Sequence, residues 1–263
     1  MLSNGSSLRV SAAVVACASA VGLSTLGIAA PALADAPAMT LTVSATGSGG
    51  SFGKNIQIEP SSTSPAGVGT YSGSVAGSNG TSSIWNCNYN FTGSSGADFA
   101  NQSGSFSLTN SSNSALSFAL TLAIPTQAMG PMTGRYNGSL SAALVTSAAT
   151  GGVGSMSPVS GTPLWVASTA GQQINSLFNT WSGVSRSTPG VSFIGSQSFG
   201  GSQPSFPTGS FGSSLAMTFN FVLSAGATAS FSTALSGVGV PVPAPGALAV
   251  LAVAGLGARR RRR

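Results

Sequence analysis

The chain has 263 residues, a formal net charge of +6 and no histidine. That charge belongs to the ends, because from residue 35 to 245 Lys54, Arg135 and Arg186 balance Asp35, Glu59 and Asp98. Isolated basic residues cannot neutralise a run of phosphates, so nucleic acid is excluded as a partner. The missing histidine excludes histidine-based triads and histidine metal sites.

The N-terminus reads as a secretory signal. Arg9 supplies the positive charge, Val10 to Ala30 is small and apolar, and Ala32-Leu33-Ala34 forms a small-x-small cleavage site with Asp35 as the new first residue. The implied partners are the export machinery and a signal peptidase. A competing reading takes Val14-Val15-Ala16-Cys17 as a lipoprotein box, but it leaves the second half of the apolar stretch unexplained. With Cys17 removed, Cys87 is the sole thiol and no intrachain disulfide can form.

The body that follows is rich in Ser, Thr, Asn, Gly and Ala. Its hydrophobic residues recur with period 2, which specifies strands with one buried face. The clearest are Trp85 to Phe91, Leu116 to Ile124 and Leu215 to Leu223. Weaker strands are expected at 40–45, 55–58, 70–75, 104–109, 138–145, 164–167 and 229–235. Glycine- and serine-rich stretches at 46–53, 151–161 and 195–212 read as mobile loops. Ile174, Leu177, Phe178 and Trp181 fall at i, i+3, i+4, i+7, so Gly171 to Ser182 reads as one short amphipathic helix. Ser224 to Phe231 reads as a closing hairpin between the last two strands. Many strands with turns between them predict an all-β, antiparallel, jelly-roll-like β-sandwich spanning 35–238.

The tail, 239–263, changes character. Val242-Pro243-Ala244-Pro245-Gly246 precedes an apolar run, Ala247 to Ala258, and then Arg259, Arg260, Arg261, Arg262 and Arg263. Pro241, Pro243 and Pro245 are expected to keep the approach extended and out of sheet ladders. Twelve apolar residues make a helix of about 18 Å, short against a bilayer core of about 30 Å. The arginines favour retention on the cytoplasmic side. This arrangement resembles the PEP-CTERM sorting domain, with Ala244 where that family has its central glutamate. The resemblance covers about the last 22 residues. It implies transient inner-membrane anchoring in a bacterium, processing by an exosortase-like enzyme, and delivery to the cell surface or extracellular matrix. The competing reading is a tail-anchored envelope protein that is never processed.

Little chemistry is on offer in the body. Gly49-Gly50-Ser51-Phe52-Gly53 fits the nucleophile elbow G-x-S-x-G but lacks a histidine base. Ser51-Phe52-Gly53-Lys54 fits S-x-x-K, yet Lys54 is the only lysine and the second one that chemistry uses is missing. Glu59 and Asp98 are the carboxylates left for a glycosidase-like pair, and nothing in the spacing unites them. No cofactor and no metal is expected. Trp85, Asn86, Asn88 and Tyr89 form a candidate glycan contact, with ring faces for stacking and amides for hydroxyls. Cys87, in register with these aromatics, reads as a core residue. The sequons at Asn79, Asn90, Asn101, Asn110 and Asn137 reflect composition. The sequence therefore points to an exported, non-enzymatic surface or matrix protein. A lectin-like module for extracellular polysaccharide is the alternative.

Overall fold

A computed structural model describes residues 36–80, 82–127, 132–147, 152–200 and 206–242. The cleavage residues Ala32, Ala34 and Asp35 lie outside these, as do Pro243 to Gly246, the apolar run and the arginine cluster. Of the sorting motif only Val242 is described, and it is exposed.

Among the described residues every element is a strand. The first eight are β1 (Met39–Gly47), β2 (Gly50–Ile58), β3 (Ser62–Thr63), β4 (Gly69–Asn79), β5 (Ser82–Ser95), β6 (Phe99–Asn110), β7 (Leu116–Pro125) and β8 (Met132–Thr146). Then follow β9 (Gly154–Ser157), β10 (Trp165–Thr169), β11 (Gln172–Leu177), β12 (Val184–Arg186), β13 (Gly190–Phe199), β14 (Phe206–Ser210), β15 (Ser214–Leu223) and β16 (Thr228–Pro241). They form two antiparallel sheets. Sheet A has the order β11-β10-β15-β7-β1-β2, with β9 beside β15 and β12 beside β9. Sheet B has the order β13-β8-β16-β6-β5-β4-β3, with β14 beside β8. No described helix is long and apolar enough to cross a membrane.

The period-2 residues meet between the sheets, as a sandwich requires. Leu120, Leu122, Met217 and Phe219 of sheet A and Leu108, Phe231 and Leu235 of sheet B are all buried. Phe106 of β6 meets Phe219 of β15 edge to face with ring centroids 4.7 Å apart. Phe231 of β16 packs on Phe221 of β15 at 5.1 Å. These contacts join the two sheets through one continuous apolar cluster. All ten strands expected from alternation are present.

Four expectations are corrected. Gly171 to Ser182 is not a helix: Thr169-Ala170-Gly171-Gln172 is a tight turn, and the chain returns as β11. Ala170 and Gly171 have φ of 45° and 80°. Two successive positive φ values suit a two-residue hairpin and stop a right-handed helix from starting. Ile174, the extra residue where the β10–β11 register shifts, packs with Leu177, Phe178 and Trp181 against the core. A bulge and a bend thus bring together residues whose spacing imitates a helix face.

The segment Ser224 to Phe231 is not a hairpin, because β15 lies in sheet A and β16 in sheet B. The chain arches from one sheet to the other. The stretches read as loops also carry strands. Only Ser48 and Gly49 separate β1 from β2, β9 falls within 151–161, and 195–212 holds the end of β13 and all of β14. Finally, Pro241 does not stand apart from the ladder. It pairs with Met132, so β16 continues past residue 238. Beyond Val238 only β8 pairs with β16, and a strand with one free edge tolerates proline.

Candidate functional site

The alternation that builds the sandwich also sorts the residues singled out in β5. Trp85 and Cys87 are fully buried between the sheets, and Tyr89 on the same side is half-buried. Asn88 and Asn90 are exposed on the opposite face, and Asn86 is half-buried there. The indole of Trp85 lies over Gly77, its cross-strand partner, where an added Cβ would collide with the ring. Its Nε1–H donates to the Phe52 carbonyl at 3.4 Å. The candidate glycan contact is therefore divided by the sheet, with its best stacking face sealed in the core.

Cys87 has no disulfide partner, and burial pushes its thiol up to about 12. A thiol held neutral this firmly is a poor nucleophile. Ser51, Lys54, Glu59 and Asp98 are all exposed. Ser51 and Lys54 lie on β2 at the edge of sheet A, in extended chain, so no helix follows the nucleophile-elbow match. Arg186 is engaged in shaping its own turn. Its guanidinium donates to the carbonyls of Thr188 at 3.1 Å and Val191 at 2.8 Å. The sequon at Asn110 is closed to modification, since that side chain is buried and both amide hydrogens are used.

What the fold does assemble on the outside of sheet B is a set of uncharged polar rows, with the exposed Arg135 of β8 on the same face toward its Val238 end. The register aligns Ser72, Asn90, Ser105, Ser232, Ser141 and Ser196 in one row across β4, β5, β6, β16, β8 and β13. The next row is Thr70, Thr92, Ser103, Ala234, Ser139 and Ser198. On the other side run Ser74, Asn88, Ser107, Ser230, Ala143 and Phe193. Strand geometry spaces side chains about 4.8 Å apart along a row and rows about 7 Å apart. A shallow depression of about 490 Å³ lies at the middle of this face, lined by residues that include Asn90, Ser105 and Ser232. No charged residue stands in these rows. They offer hydroxyl and amide groups at regular intervals and no group suited to bond-breaking chemistry.

One row ends at Phe193, on the edge strand β13, with 78% of its surface exposed. Beside it the chain between β11 and β12 makes a sharp bend. Phe178 has φ of 54°, a left-handed conformation costly for a bulky side chain. The bend is held because the Phe178 N–H donates to Gln197 Oε1 at 2.6 Å and its carbonyl accepts from the Leu164 N–H at 3.3 Å. The bend places the half-buried Trp181 between two adjoining grooves of about 500 and 440 Å³. Nothing in the sequence marks this site except Trp181 itself, because the helical spacing around it suggests a core-facing role. Neither a family model nor a curated protein matches the chain.

Proposed function

We propose that the chain is an exported, non-enzymatic bacterial protein of the cell surface or extracellular matrix, processed at its C-terminal sorting signal. The observation that carries the structural side of this reading is the set of three charge-free rows on the outer face of sheet B, with hydroxyl and amide groups aligned across six strands. Such a face suits lasting, salt-tolerant contact with neighbouring matrix components more than it suits catalysis. The buried thiol of Cys87, the exposed Glu59 and Asp98 and the lack of histidine support the non-enzymatic part. In this reading the sandwich is jelly-roll-like, a form supported by a chain that changes sheet repeatedly, after β2, β6, β7, β8, β12, β14 and β15. The partners are the export machinery, signal peptidase, an exosortase-like enzyme acting during transient inner-membrane association, and extracellular polysaccharide.

Antibody labelling of intact cells tests the destination. The expected result is strong labelling without permeabilisation. A variant lacking Arg259 to Arg263 should lose retention before processing and appear unprocessed in the medium. Labelling that requires permeabilisation contradicts the proposal.

A further inference from the structure

We propose that the groove around Trp181 binds a neutral pyranose ring within a polysaccharide. The proposal does not rest on the sorting reading, because a sugar site on the sandwich can operate whether or not the tail is cut.

Four observations converge on this place. Trp85 and Trp165 are fully buried, which leaves Trp181 as the only partly exposed tryptophan. Its two grooves share Thr180, Trp181 and Ser182, and their volumes fall within the roughly 300–1,000 Å³ of small-ligand clefts. The rest of the polar lining is neutral, with Ser160, Thr162 and Asn179 contributing. Phe193 lines the second groove and is the most exposed large hydrophobic residue described.

The chemistry selects the ligand. A pyranose has apolar C–H faces and a rim of hydroxyls. It seats by laying a face on an aromatic ring and its rim against small polar side chains. A purely apolar ligand would leave the serine, threonine and asparagine groups unpaired. An anionic ligand would find no cation among the lining residues. The Trp181 Nε1–H is shielded and has no hydrogen-bond partner, which leaves the ring edge with an unused donor beside the grooves.

The backbone also fits a site built to hold a shape. Phe178 is kept at positive φ by the Gln197 side chain, and strain of this kind persists where the surroundings over-determine it. In β13 the register shifts at Ile194, between Phe193 and Gly195. That bulge leaves Phe193 on the outer face while Ile194 packs against the core. Gly195 packs beside the Phe178 ring, and its φ of 137° favours glycine at that position. Phe193 also closes the row that contains Asn88 and Ser107. A polymer seated at Trp181 therefore has a hydroxyl-lined path across sheet B.

Tryptophan fluorescence of the exported protein, titrated with neutral cello-, chito-, xylo- and dextran-type oligosaccharides, tests the site. Uronate oligomers serve as the charged comparison. The expected result is saturable binding of at least one neutral series, with one tryptophan protected from acrylamide quenching. Phe193→Ala should weaken that binding about tenfold, in line with loss of one aromatic contact. Trp181→Phe should retain part of it, and Trp181→Ala should abolish both binding and the protected signal. Phe193 is too exposed for its loss to unfold the sandwich, so that variant separates binding from folding. Absence of saturation at millimolar concentrations in every neutral series overturns the proposal. So does wild-type affinity in both Phe193→Ala and Trp181→Ala, or preference for the uronates.

Discussion

Asn110 shows how a single polar residue can hold a sandwich together. It is fully buried at the end of β6, and every polar group it has is used. Its Nδ2 donates to the carbonyls of Ser114 at 2.8 Å and Leu223 at 2.9 Å. Its Oδ1 accepts from the Ser112 backbone N–H and hydroxyl at 3.0 and 2.7 Å. Its own N–H donates to Ala227, and its carbonyl accepts from Gly226. The residue thus ties the β6–β7 crossing to the β15–β16 crossing. Asn110→Ala should cost about 3 kcal/mol, since four side-chain bonds are lost together and the buried Leu223 carbonyl is left without its side-chain donor. Urea unfolding checks this, and an unchanged midpoint would remove the residue from its proposed role. None of this was legible in the sequence, where Asn110 reads as one more asparagine in a polar turn. Its partners at 223, 226 and 227 are distant along the chain.

Cys87 was legible, because its aromatic neighbours in register point to a core. Its pKa stands near 12 instead of 9.0, and burial is the cause. The raised value has a definite sign. The folded state keeps the proton that the unfolded chain begins to lose near pH 9. Stability from this group is therefore intact below pH 9 and falls as pH rises toward 12, by about 1.4 kcal/mol per unit. Tyr71 and Tyr136 shift in the same direction through burial and add to the alkaline loss. Unfolding midpoints measured from pH 8 to 11 should decline, and Cys87→Ala should lessen the slope. At neutral pH the native thiol should resist thiol reagents until the chain unfolds.

At the scale of elements, legibility followed side-chain size. Strands such as β5, β7 and β15 alternate large apolar with small or polar residues, and that contrast survives without any tertiary information. Edge strands carry weaker patterns. In β13, Val191 and Phe193 face outward and glycine marks the irregular register, so the alternation does not indicate a buried face. The β10–β11 hairpin misled for a different reason: a turn, a bulge and a bend gave four residues a helical spacing. The turn is imperfect, because Ala170 occupies a positive-φ position with its side chain exposed. Ala170→Asn creates the Asn-Gly pair that such hairpins favour and should stabilise the protein by about 1 kcal/mol. A thermal melt measures this, and a lower midpoint would contradict the assignment of the turn. The β15–β16 arch is a further case, since local sequence distinguishes a return within one sheet from a passage to the other only through distant partners.

For the whole molecule, the informative property is where charge is absent. The body is neutral overall and its outer polar rows on sheet B carry no ionised group. Raising salt from about 0.05 to 0.5 M should leave matrix retention nearly unchanged, because there is little surface electrostatics to screen. Release by salt alone would refute contact through this face. The fold class was legible from periodicity and turns, while the Trp181 groove was not, because it forms from a loop and an edge strand that meet only in the folded chain. The destination of the protein is decided by its tail. Mass spectrometry of the C-terminal peptide from surface and medium fractions of the native host tests it most directly. The expected terminus lies near Pro243 to Gly246, without the arginines. An intact Arg263 on a membrane-bound protein would contradict it and leave an unprocessed tail anchor.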